Sequence, residues 1–120
     1  MYVGIYYSNE ILEWIDGLDN RTKGKILSRL YLLRKFGPRL GRPYADTVKG
    51  SIYSNLKELR IKSNKEEVRI FYIIDKTRQV LLLVGRAKNG KKDFYMKMIK
   101  KAENIYLEFQ RERKNRYEDI

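Results

Sequence analysis

The chain has 120 residues, 42% of them hydrophobic, and carries 27 Lys and Arg against 15 Asp and Glu, a formal charge of +12. It contains no histidine and no cysteine, which excludes disulfides, zinc sites of the usual ligand sets and Cys–His or Ser–His nucleophile pairs. The carboxylates are dispersed without metal-loop spacing, which disfavours a metal-dependent nuclease, and the basic excess points to a polyanionic partner.

The excess is uneven: residues 1–50 hold nine basic against five acidic side chains, residues 51–100 thirteen against five, and residues 101–120 five against five. One domain over 1–109 is expected, followed by a charged extension over 110–120. The N-terminus lacks a basic leader and an apolar h-region, and no run reaches membrane-spanning length. A cytoplasmic protein with no membrane partner is therefore expected.

In chain order, Tyr2 to Tyr7 is rich in aromatic and β-branched residues and predicts a first strand. Ser8 or Asn9 can cap a helix whose apolar face is Ile11, Trp14, Ile15 and Leu18. Asp19-Asn20 breaks the chain and caps a second helix striped by Ile26, Leu27, Leu30 and Leu33, which Gly37-Pro38 ends. Residues 37–50, with two prolines and three glycines, predict a long irregular connection. Three strands follow, over Ile52 to Ile61, Val68 to Ile74 and Gln79 to Val84, with Ser63-Asn64-Lys65-Glu66 as a turn. Asp93 then fits the N-cap of a last helix whose buried stripe is Phe94, Met98, Ala102, Ile105 and Phe109. The order βααβββα predicts an α+β fold, an antiparallel sheet packed against an N-terminal helical hairpin, with a C-terminal helix.

Two clusters could carry chemistry. Period-two alternation puts Val68, Ile70, Tyr72 and Ile74 on one face of their strand and Arg69 on the other, with Phe71 and Ile73. In the preceding strand Lys57, Leu59 and Ile61 share one face, while Leu56, Glu58 and Arg60 share the other. Arg69 and Arg60 on an open sheet face would make a phosphate clamp; the ordinary alternative for Arg60 is an ion pair with Glu58. The second cluster is the loop Gly85-Arg86-Ala87-Lys88-Asn89-Gly90-Lys91-Lys92-Asp93, four basic residues before one acid, running into a helix. It can project ammonium groups over the sheet edge, although such loops are commonly just solvated.

Leu56-Lys57-Glu58-Leu59-Arg60-Ile61, Val68-Arg69-Ile70-Phe71-Tyr72, and Leu82-Leu83-Val84-Gly85 before a Lys-rich loop and terminal helix resemble the RelE/ParE toxin superfamily, above all its phage-derived HigB-like branch. The resemblance spans about residues 2–108, with the specific motifs within 56–95. It implies a toxin of a type II toxin–antitoxin system: a metal-independent, ribosome-dependent mRNA endonuclease without cofactor. Its partners would be the ribosome, mRNA and a cognate helix-turn-helix antitoxin, with DNA met only through that antitoxin. Arg69 falls on the family's strand arginine, Arg60 on the arginine ending Glu-Leu-Arg, and Lys88 and Lys92 on the first and last loop lysines. Tyr95 lies near a tyrosine that some relatives carry in the terminal helix. Three departures stand out: Arg86 in place of Phe, Asn89 in place of a second Lys, and Asp93-Phe94 in place of Thr-Pro.

On this resemblance the expected catalytic set is Arg69, Lys88, Lys92 and Tyr95, with Arg60, Arg86, Lys91 and Lys57 binding RNA. The 2′-OH would attack the adjacent phosphate. Lys88, Lys92 or Tyr95 would move protons, and neighbouring cations would ease ionisation of Tyr95. Arg69→Ala is expected to abolish cleavage and leave the fold intact. Two other readings stay open: a ParE-like gyrase poison, and a non-catalytic basic nucleic-acid-binding module using Phe71 and Tyr72 for stacking.

Overall fold

A computed structural model describes residues 4–90 and 92–118, with side chains to 113. Strand β1 (Ile5–Tyr7) leads into α1 (Asn9–Asp16) and α2 (Asn20–Phe36). Ser8 caps α1 by accepting from the Ile11 N–H, and Asp19 caps α2 by accepting from the Thr22 N–H. Gly37, at φ 57°, takes the left-handed turn that ends α2, and its N–H donates to the Leu33 carbonyl. Strands β2 (Ala45–Thr47), β3 (Lys57–Ser63), β4 (Glu66–Ile74) and β5 (Val80–Ala87) follow, and then α3 (Phe94–Glu118).

The α+β fold is as expected, with three differences of detail. The sheet order is β1-β5-β4-β3-β2, and β1 runs parallel to β5, so the sheet is mixed rather than antiparallel throughout. The strand expected from Ile52 begins only at Lys57, and the connection expected to be irregular contains β2, which pairs with β3. Such a three-residue edge strand has too few positions for alternation to register. Of the predicted first strand, Tyr2 and Val3 lie outside the described residues.

The sheet is covered on both faces. Ile11, Ile26, Leu30 and Leu33 of the hairpin pack on Leu59, Ile61, Ile70, Tyr72 and Leu82. Phe94, Met98 and Ala102 of α3 pack on Leu56, Phe71, Ile73, Leu81 and Val84 across the sheet. Leu27, expected in the α2 stripe, is exposed instead. An irregularity in the β4–β5 pairing moves the register from Phe71↔Val84 to Tyr72↔Leu82 and leaves Leu83 as an extra residue. Leu83 and Val84 thus both serve the α3 side. Helix α3 continues through the expected boundary at 109, and Arg113 holds the Asp75 carboxylate at 3.0 Å. Among the described residues no helix is long and apolar enough to cross a membrane.

Candidate nucleic-acid interface

Strand register brings three arginines into one row. Arg60 of β3 is directly opposite Arg69 of β4, which is directly opposite Arg86 of β5. Cross-strand partners share a face, so the row lies on the α3 side of the sheet. Two interstrand spacings put its ends about 10 Å apart.

The middle of that row is not open. Arg69 is 2% exposed and Glu58, on the same face, 4%. Arg69 Nε lies 3.1 Å from Glu58 Oε1, yet its N–H is not aimed at that oxygen and has no hydrogen-bond partner among the described residues. Arg69 Nη1 donates to the Val68 carbonyl at 3.1 Å, and Nη2 is 3.6 Å from the exposed Glu67 carboxylate. The expected open-face clamp is therefore corrected: α3 covers this face, and Glu58 is the ion partner of Arg69, not of Arg60. Arg60 and Arg86, at the two ends, are half-exposed.

Tyr95, on the first turn of α3, joins this pair from above. Its hydroxyl donates to Glu58 Oε1 at 2.7 Å, and its ring lies 5.9 Å from that of Phe71. Burial and the Glu58 hydrogen bond push the Tyr95 phenol above its ordinary value, only partly offset by Arg69. The expectation that surrounding cations would ease its ionisation fails because the nearest charge is a carboxylate. The Lys88 ammonium stands over the Tyr95 ring, 5.4 Å from its centroid. Lys92 is exposed in the turn before α3, and Lys91 lies outside the described residues. Asp93 directly precedes α3; its carbonyl accepts from the Lys97 N–H, and its carboxylate is 2.9 Å from the Lys97 ammonium.

Lys57 does not join the row. It lies on the hairpin side, where its ammonium donates to the Pro38 carbonyl at 2.9 Å. Phe71 and Tyr72 are fully buried on opposite faces, which removes them as a stacking surface. The Tyr72 hydroxyl has no hydrogen-bond partner among the described residues, and burial pushes it well above its ordinary value. Glu58 was missed as a site residue; the signal available was a lone acid on the arginine face of β3. Glu10, in the first turn of α1, binds both Arg86 at 3.1 Å and Lys101 at 2.6 Å.

A sheet with a helical hairpin on one face and a terminal helix on the other is the RelE toxin fold. A free-state structure of an E. coli RelE mutant with two arginines replaced matches 78% of this chain and 92% of that one, at a TM-score of 0.57 and 13% identity. At that identity the likeness concerns the fold alone. Residues 13–107 match the family described as phage derived protein Gp49-like, and the chain belongs to this RelE/HigB-like family. It is 38% identical over 100 residues to the putative toxin HigB2 of Mycobacterium tuberculosis, covering 82% of this chain and 50% of that protein. It is 35% identical over 81 residues to putative toxin HigB3 of the same organism, covering 68% and 69%. The chain thus spans about half the length of HigB2.

Proposed function

We infer that the protein is the toxin of a type II toxin–antitoxin pair and cleaves mRNA on the ribosome without a metal, held in check by a cognate antitoxin. The observation that supports this best is the Arg60–Arg69–Arg86 row placed under the Tyr95–Glu58 hydrogen bond. Arg60 and Arg86 are accessible enough to hold backbone phosphates. Glu58 supplies the base that a histidine-free chain otherwise lacks.

The raised Tyr95 phenol is neutral near pH 7, so it relays a proton rather than acting as the base itself. The substrate 2′-OH gives its proton to the Tyr95 oxygen as the Tyr95 proton passes to the Glu58 carboxylate. The 2′-oxygen bonds to phosphorus, the bond to the 5′-oxygen breaks, and the leaving oxygen takes a proton from the Lys88 or Lys92 ammonium. The products are a 2′,3′-cyclic phosphate and a 5′-hydroxyl. Protonating Glu58 removes the counter-charge of Arg69, whose field then acts on the phosphorane-like charge through a low-dielectric layer.

Cell-free translation with primer extension tests this reading. Ribosome-dependent cuts ending in cyclic phosphate are expected. Tyr95→Phe should slow them by about 10²-fold or more, the ordinary contribution of a positioned proton-transfer group. Intact mRNA with growth arrest, or with DNA-damage signalling, would overturn it.

A further inference from the structure

A cleft of about 470 Å³ opens where α1, the end of β5 and α3 meet. That volume lies within the range of small-molecule sites. Its walls combine three chemistries. Trp14 supplies a half-buried flat ring, with buried Phe94 and Met98 beside it; Arg86 and Lys101 supply cations; and Asn89 supplies an exposed amide.

Each wall is fixed by the fold. The Trp14 ring sits against the β5 backbone at Gly85, where an added Cβ would come within 2.3–2.9 Å of three ring carbons. Arg86 Nη1 is tied to the Gly85 carbonyl at 2.6 Å, and its Nη2 reaches Glu10. Lys101 reaches the same Glu10 oxygen at 2.6 Å. One carboxylate oxygen thus serves two cations, so Glu10 fills the position between them and the pair keeps one positive charge in excess where it lines the cleft. The facing Asp93 and Lys97 neutralise each other at 2.9 Å.

A flat aromatic wall beside an unbalanced cation pair fits a base joined to a phosphate. An acidic peptide would use the cations and leave Trp14 idle. The strand, rather than a free nucleotide, is favoured by continuity, because Arg86 both lines the cleft and ends the arginine row. We propose that this cleft binds one nucleotide of single-stranded RNA, its base on the Trp14 ring and its phosphate on the side that Arg86 and Lys101 present to the cleft, away from the Glu10 oxygen they share. It deepens the reading above, and takes from it only that the chain meets single-stranded RNA. A nucleotide seated here would be a neighbour of the scissile position, so the cleft would set which base is accepted beside the cut.

Trp14 is the only tryptophan in the chain, so its fluorescence reports on the cleft directly. The probe is a 2′-O-methyl trinucleotide, which has no 2′-hydroxyl to attack and stays whole. A saturable change in Trp14 emission is expected. By calorimetry, Trp14→Leu should weaken binding on the order of 10-fold, the usual effect of losing one stacked base, while Trp14→Phe keeps most of it. Lys101→Gln should lower the slope of log affinity against log salt by about one.

Silent emission, or equal affinity for Trp14→Leu, overturns the proposal. Should Trp14→Leu fail to fold by circular dichroism, the wild-type emission and Lys101→Gln decide. A 5′-mononucleotide bound as tightly as the trinucleotide would make this a free-nucleotide site and overturn the strand assignment. Because the probe cannot be cut, its binding is read apart from cleavage: Trp14-dependent probe binding with mRNA left intact in cell-free translation would sink the endonuclease reading alone, and mRNA cleavage with probe binding indifferent to Trp14 would sink this one alone.

Discussion

Replacing Glu58 with Gln keeps the shape of the side chain and removes its charge, leaving Arg69 buried at 2% exposure. The other carboxylate close to Arg69 is Glu67, 3.6 Å away with a side chain 55% exposed; a solvent-screened pair of that kind contributes about 0–1 kcal/mol and cannot replace the lost partner. Breaking one side of a buried pair costs about 3–5 kcal/mol. Because Glu67 still offers a weak counter-charge at 3.6 Å, the lower end, about 3 kcal/mol, is expected for Glu58→Gln. That is a large share of the roughly 5–15 kcal/mol that holds a domain folded. In urea melts, with a slope of about 1.5–2 kcal/mol/M, the midpoint should fall by about 1.5–2 M. The double variant Glu58→Gln/Arg69→Met buries no unpaired charge and should recover most of the loss, giving a coupling energy of about 2 kcal/mol. A Glu58→Gln midpoint within about 0.5 M of wild type, or losses that simply add, would refute the reasoning.

Gly85→Ala puts a methyl group within 2.3–2.9 Å of Trp14 ring carbons. The ring must move, at a cost of about 1–3 kcal/mol, and tryptophan emission should shift to the red; unchanged emission and stability would count against the packing described. Asp75 is held below the ordinary carboxylate range: burial opposes its charge, but hydrogen bonds from Thr77, Gln79 and Arg113 outweigh that. A depressed folded value gives stability that is complete above the unfolded value, about 3.9, and is lost as pH falls through the folded one. Asp75→Asn should therefore be less stable than wild type at pH 7, with the gap closing below about pH 4; a gap that persists in acid would show that the charge is not what matters. Lys57→Ala should leave trinucleotide affinity and its salt slope unchanged, whereas Arg86→Ala should lower the slope by about one; matching effects would contradict their placement on opposite faces.

Periodicity resolved the parts of this fold that depend on burial of one face. The alternation in β4 correctly separated Val68, Ile70 and Tyr72 from Arg69, Phe71 and Ile73, because a one-residue slip would move the entire set to the opposite face. The caps Ser8 and Asp19 were legible because each satisfies backbone N–H groups only a few residues away. What lay beyond reach was the third layer. The α3 stripe was visible, but no local rule says which side of the sheet it covers. Arg69 could therefore be assigned a face while its burial beneath Tyr95 could not. The pairing of Glu58 with Arg69, and of Glu10 with Arg86 and Lys101 over more than 70 residues of chain, comes from strand register and helix docking. Neither leaves a signature in spacing.

Arg69 burial changes how the arginine row can be dissected. Arg69→Ala, expected from the sequence to leave the fold intact, strands Glu58 as an unpaired buried carboxylate, so lost activity would mix chemistry with unfolding. The ends of the row separate the two. Arg60 and Arg86 are half-exposed, and truncating either should weaken RNA binding at little cost in stability. Helix α3 meanwhile supplies both the cover over Arg69 and two of the groups proposed to face substrate, Tyr95 on its first turn and Lys101 two turns on. On the proposed reading, a substrate resting on this face would meet the arginine charge in two ways, by contact at Arg60 and Arg86 and by field alone at Arg69. Field acting from a dry, fixed position needs no reorganisation at the moment of reaction, which makes a buried central arginine compatible with catalysis so long as Glu58 can take a proton and release its charge.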